Sequence, residues 1–148
     1  MKKTIGLMVL FALVLAACGQ AAPDHSADIA AAEAIAKKYA EAYSTKNADQ
    51  YIALLSTDYN FMDYGVNDGP INYYGMKSTA PTMFQIPNFQ LKVSSTIVSA
   101  DGLFITVLSM YTFSSKNGQP ATVPAVGILE IRDGKIVSET WYYDGSWF

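Results

Sequence analysis

Apolar residues recur at steps of three and four early in the chain and at steps of two late in it. Ile29, Ala32, Ala36, Tyr39 and Tyr43, with Ile35 beside them, form one stripe at helical period, and Glu33, Lys37, Lys38 and Glu41 fall off it. Ser26 or Asp24 supplies a cap for a helix starting near Ala27. Asn47-Ala-Asp-Gln50 opens a second helix carrying Tyr51, Ile52, Leu54 and Leu55. Tyr59, Phe61 and Asp63 alternate with Asn60 and Met62, which predicts a strand over 58–64. Gly65 through Pro70 is turn chemistry, 71–74 a short strand, and 76–86 a third helix that Pro81 interrupts. From Asn88 onward the period is two: Phe89, Leu91, Val93 and Ile97 alternate with Gln90, Lys92, Ser94 and Thr96. Asp101-Gly102, Asn117-Gly118 and Asp133-Gly134 are hairpin turns. They join strands over 103–113, 122–131 and 136–143, and Pro124 and Gly127 inside one of these indicate an edge, a bulge or a bend.

Helices followed by hairpin-linked strands make an α+β chain. The expectation is N-terminal helices packed on one strongly curved antiparallel sheet, a cone whose internal cavity is lined by aromatic side chains. Both faces of the 103–113 strand are apolar: Leu103, Ile105, Val107 and Tyr111 on one, Phe104, Leu108 and Met110 on the other. Helices cover one face. A second subunit is expected on the other, giving a homodimer through the sheet, with the aromatic C-terminal tail as the alternative cover.

Ahead of the helices, Lys2-Lys3 precede an uncharged apolar run from Ile5 to Ala17, shorter than the roughly 20 residues a spanning helix needs. The run ends in Leu15-Ala16-Ala17-Cys18, which resembles the lipobox of bacterial lipoproteins. That resemblance implies a signal peptide over 1–17, diacylglyceryl transfer to the Cys18 sulfur, cleavage before Cys18 and acylation of the new amine. A lipidated tether over 18–25 then holds a domain over 26–148 at the membrane, in the bacterial cell envelope. Gly19 implies the outer membrane, facing the periplasm, if the host is Gram-negative. His25 lies in the tether, where nothing orients an imidazole for catalysis.

Composition narrows the classes further. A length of 148 residues suits one domain, and 51% hydrophobic against 16% charged residues excludes a disordered chain. One Cys leaves no disulfide framework, and a net charge of −3 without a long basic run argues against nucleic acid as a partner. No metal-ligand cluster, phosphate loop or Ser-His-Asp set is visible, so neither a metal nor a cofactor is expected.

Three passages carry a family resemblance. Gly75, a short helix and Ile86-Pro87-Asn88-Phe89 form the first. Gly118-Gln-Pro-Ala-Thr-Val leading into a strand is the second, and Ile131-Arg-Asp-Gly-Lys-Ile-Val-Ser-Glu-Thr-Trp-Tyr-Tyr-Asp144 is the third and most specific. Together they resemble SnoaL-like proteins of the nuclear-transport-factor-2-like superfamily, over roughly residues 30–144. The resemblance implies an α+β cone. It also implies a choice among polyketide cyclases, isomerases, epoxide hydrolases and domains that only bind or dimerise. SnoaL-like cyclases use a cavity acid as acid/base, often with a nearby His. Asp144 matches the motif's Asp, but this chain has no His beyond His25.

Asp144 is therefore the first catalytic candidate and Asp63, on the face of Tyr59 and Phe61, the second. A carboxyl desolvated in an apolar hollow exchanges protons near neutral pH. Tyr39, Tyr43, Phe61, Tyr111 and Trp141 are candidate ligand-binding residues, and Tyr73, Tyr74 and Tyr111 are candidate donors to an oxyanion. Glu130 and Glu139 are expected to face solvent or pair with lysines. The leading expectation is a membrane-anchored envelope lipoprotein that binds a small apolar or aromatic molecule. The alternatives are a cyclase, isomerase or hydrolase using a cavity Asp, and a non-catalytic dimerisation module.

Overall fold

The computed structural model describes residues 23–66 and 68–147, so Cys18 and the leader expected before it lie outside the described residues. Helix α1 spans Ser26–Ser44, α2 Ala48–Leu54 and α3 Tyr73–Met83. The strands are β1 Leu55–Asp63, β2 Asp68–Asn72, β3 Gln90–Val98, β4 Phe104–Ser114, β5 Pro120–Arg132 and β6 Lys135–Tyr143, with a short 3-10 turn at Gly145–Trp147. No helix among the described residues is long and apolar enough to cross a membrane.

Local chemistry accounts for the boundaries. Neither Ser26 nor Asp24 caps α1: the capping position is His25, with no side-chain cap, and Asp24 Oδ1 accepts the Ser26 amide at 3.0 Å just ahead of it, whereas Asn47 Oδ1 accepts the Gln50 amide at 2.9 Å and caps α2. Asn72 does the same for Gly75 at 3.0 Å, so α3 begins at Tyr73, three residues earlier than the sequence pattern indicates. In the Asp133-Gly134 turn both residues have positive φ, 51° and 68°, as a two-residue hairpin of this hand requires.

The strands form one curved sheet in the order β2-β1-β6-β5-β4-β3. The sheet is mixed rather than antiparallel throughout, because β1 pairs with β6 in parallel. Everything from β2 to β5 intervenes between those two strands, and a long crossover of that kind is what a parallel pair needs. A second departure lies in β3. Val93 pairs with Ser109 but Ser95 pairs with Leu108, so Ser94 is an extra residue. The bulge reverses the parity of the strand. Phe89 and Leu91 are buried, whereas Ile97 turns outward and is exposed.

Strand β5 is central, not an edge. Its Pro124 lies beyond Ala125, the last residue paired with β6, so the missing amide falls where the neighbouring strand has ended. Gly127 pairs with Trp141 across the ladder, and a Cβ on Gly127 would sit 2.7 Å from the indole ring. The glycine makes room for the tryptophan. The three helices cover the concave face, where Ala32, Tyr39, Tyr51, Ile105, Val107, Leu129 and Ile136 form a dry core. On the convex face Phe104, Leu108, Met110, Val126, Ile128 and Tyr142 are exposed.

Candidate functional site

Inside the cone a cavity of about 320 Å³ opens between α3 and the concave faces of β1, β3, β4 and β6. Met76, Phe89, Leu91 and Trp141 form its buried floor, and Val66, Thr79, Thr82 and Ile86 mark its exposed rim. Tyr43, Phe61, Ile71, Met83, Tyr111 and Tyr143 complete much of the wall. Four of the five expected ligand-binding residues, Tyr43, Phe61, Tyr111 and Trp141, thus converge on one hollow. Strand period brings them there: Phe61 and Asp63 share the inward face of β1, and Trp141 and Tyr143 share that of β6. A wider groove of about 510 Å³ lies between α1 and β3, with the exposed Glu33 and Lys37 on its walls.

Asp63 is the carboxylate of this cavity. Its Oδ1 accepts the amides of Gly65 at 2.9 Å and Val66 at 3.3 Å, and its Oδ2 accepts the Tyr143 hydroxyl at 2.7 Å. The Tyr143 ring lies so close over Gly65 that a Cβ there would be 2.3 Å from it, so the turn after β1 needs glycine at that point. Tyr111 packs on Tyr143 with ring centroids 5.2 Å apart. Burial, and then the negative charge of Asp63, push the Tyr111 phenol well above its ordinary range, so its hydroxyl remains protonated and able to donate.

Asp144 is elsewhere. It is exposed at the end of β6, where its Oδ1 accepts the Ser146 amide at 3.0 Å. That backbone hydrogen bond, followed by the Ser146 hydroxyl, holds its carboxyl below the usual carboxylate range. Desolvation, which would dominate for a cavity acid, is the smallest influence there. Tyr73 and Tyr74 sit in the first turn of α3, outside the cavity wall, with Tyr74 largely exposed.

The larger correction concerns Glu139. It faces neither solvent nor a lysine but is fully buried on β6, two residues before Trp141. Its Oε1 accepts from the Tyr39 hydroxyl at 2.5 Å and from the Trp141 indole N–H at 2.6 Å. Its Oε2 accepts from Tyr51 at 2.8 Å and Tyr59 at 2.9 Å, and the latter two hydroxyls are 2.9 Å apart. Tyr39, expected at the ligand, serves this cage and does not line the cavity. Burial raises the Glu139 carboxyl above the usual range, while the donors, Trp141 first, pull it partly back. The signal was present in the two-residue step that turns Trp141 and Tyr143 inward, since Glu139 has the same parity. Glu130, by contrast, meets Arg132 at 3.0 Å on the surface. Among the described residues no group of His, Cys, Asp and Glu converges as a metal site.

Solved structures share this architecture. A candidate polyketide cyclase from Xanthomonas campestris pv. campestris is 22% identical, with a TM-score of 0.62 over 78% of this chain and 92% of its own. An NTF2-like protein of unknown function from Burkholderia pseudomallei is 18% identical, with a TM-score of 0.64 over 78% and 92%. TerC, co-crystallised with polyporic acid, is 16% identical, with a TM-score of 0.62 over 77% and 92%. At these identities the likeness is one of fold, the NTF2-like cone. No curated protein matches the chain. The SnoaL-like domain model matches residues 36–139, from the middle of α1 to the buried glutamate of β6, and the chain belongs to the SnoaL-like domain family.

Proposed function

We propose that this SnoaL-like domain binds a small apolar or aromatic molecule in the cavity beneath α3. The observation that carries the reading is the hollow itself: about 320 Å³, walled mainly by aromatic and aliphatic side chains, with Asp63, Tyr111 and Tyr143 among its polar groups and two threonines at its rim. Ligand sites have this make-up, a greasy wall with a few convergent polar groups. A purely structural module would fill such a space with side chains. TerC, a protein of the same fold, was co-crystallised with polyporic acid, which supports a cone that takes a ligand.

The test is a titration of the intact protein with 2-naphthol, followed by NMR. The reading expects shifts of the Met76 and Leu91 methyls and the Trp141 indole. Shifts confined to the convex face would overturn it.

A second reading is favoured by the position of Asp63. A carboxylate beside two phenols on an apolar wall can take a proton from a bound carbon acid while a phenol hydrogen-bonds the oxygen that gains charge. On this reading Asp63, rather than Asp144, is the acid/base of a cyclase, isomerase or hydrolase. Wild-type turnover of lactones, ketosteroids or polyketides that Asp63→Asn abolishes supports it; no turnover on any of them leaves binding alone.

The Leu15-Ala16-Ala17-Cys18 box further supports a lipoprotein held in the bacterial envelope through acylated Cys18. Labelled palmitate should enter the wild type and not Cys18→Ser.

A further inference from the structure

We propose that ligand binding in this cavity is coupled to a proton held on Glu139, so that the hollow takes its ligand more tightly as the pH falls. The inference rests on the binding reading above and names how that site is regulated.

Two side chains belong to both the cavity and the cage. Trp141 forms part of the cavity floor and donates its indole N–H to Glu139 Oε1 at 2.6 Å. Tyr43 lines the same hollow, and its hydroxyl interacts with those of Tyr39 and Tyr51, which both donate to Glu139. The ring centroid of Tyr43 is 4.9 Å from that of Tyr39 and 5.4 Å from that of Tyr51. A ligand in the hollow is thus separated from a fully buried carboxyl by side chains bonded to the cage itself.

The cage has a place for the proton. An indole N–H only donates, whereas a phenol hydroxyl donates or accepts. Both partners of Glu139 Oε2 are phenols, Tyr51 at 2.8 Å and Tyr59 at 2.9 Å, and their hydroxyls are 2.9 Å apart. A proton on Oε2 can be donated to Tyr59, Tyr59 can turn its own toward Tyr51, and Tyr51 still donates to Oε2. This ring uses every hydroxyl hydrogen and leaves the Trp141 and Tyr39 bonds to Oε1 as they are. Charged and neutral forms fit the same cage, and the cavity floor is in place in both.

Water sets the direction. A ligand filling the hollow removes water from the far side of Trp141 and Tyr43, and a buried charge is destabilised when water nearby is lost. The groups facing Glu139 are uncharged: Tyr39 and, one hydroxyl further, Tyr43 from α1, Tyr51 from α2, Tyr59 from β1 and Trp141 from β6. Its ladder neighbours are Phe61 on β1 and Leu129 on β5. Burial already lifts the Glu139 carboxyl above its ordinary range, and an occupied cavity lifts it further. Binding therefore takes up a proton, and by reciprocity the protonated protein binds more tightly.

The experiment is calorimetric titration of the intact chain with 2-naphthol, neutral throughout, from pH 5 to pH 8 in buffers of unlike ionisation enthalpy. Wild-type affinity should be at least about fivefold higher at the acid end, with net proton uptake on binding. Glu139→Gln keeps the shape of the neutral form and should bind alike at every pH. The 13C resonance of the Glu139 carboxyl reads the same group without a substitution, and its titration midpoint should rise when 2-naphthol is bound. Equal wild-type affinities, tighter binding at pH 8, an unmoved midpoint, or a pH dependence that Glu139→Gln retains would each overturn the coupling while the cavity remains a binding site. Failure to bind at any pH overturns the binding reading and the coupling with it.

Discussion

Glu139 organises the interior. Its four donors come from α1, α2, β1 and β6, so one carboxyl ties two helices to two strands. Removing the acceptor would strand buried hydroxyls, each at a cost of roughly 1–3 kcal/mol. The same site makes stability depend on pH. Because burial raises its carboxyl, the folded chain keeps a proton that the unfolded chain has already released above the ordinary value of 4.5. Folding then takes up a proton, and stability falls as pH climbs from that value toward the folded-state one. Urea unfolding from pH 4 to 8 should show the wild type losing stability relative to Glu139→Gln as pH rises. Parallel curves, or a gap that grows in favour of the wild type, would contradict this. The residue was misjudged because charged side chains on strands are normally solvated. Only the meeting with Tyr39, Tyr51 and Tyr59, which lie 100, 88 and 80 residues from Glu139 in the chain, supplies the partners that let a carboxyl be buried. Asp144 stands one residue past the end of β6, as the strand expected over 136–143 implies, and there it meets solvent and the Ser146 amide rather than the cavity.

Among the elements, the helices and hairpins were legible because they depend on near neighbours: the α1 stripe, the Asn47 cap, the Asp-Gly and Asn-Gly turns. What escaped depends on distant pairing. The parallel β1–β6 contact and the extra Ser94 in β3 leave no local mark, and alternation alone put Ile97 on the wrong face. Gly127 shows how far a single position reaches. It lies under Trp141, which forms the cavity floor on one side and donates to Glu139 on the other. A methyl group at 127 must push the indole aside. Gly127→Ala should cost about 1–3 kcal/mol, read from the urea midpoint. A change below about 0.5 kcal/mol would mean that the ring does not rest on the glycine.

For the molecule as a whole, the α+β cone could be read in advance, and so could part of the cavity wall, because inward parity on β1, β4 and β6 selects Phe61, Tyr111 and Trp141. The convex face repeats the argument outward. Leu108, Met110, Val126, Ile128 and Tyr142 form one exposed apolar surface across three strands, and we propose that a second copy covers it. Sedimentation equilibrium should give a dimer for the wild type and a monomer for Val126→Asp. A wild-type monomer would contradict this.

A ligand held in the hollow under α3 must be excluded when that hollow is filled. Met83 lines that hollow and is only partly buried, so a larger side chain there can occupy the space without entering the Glu139 cage. The most direct measurement is calorimetric titration of 2-naphthol into the wild type and into Met83→Trp. The wild type should bind, and the filled variant should lose at least about tenfold in affinity while keeping its unfolding midpoint. Undiminished binding to a folded Met83→Trp would place the ligand outside this hollow.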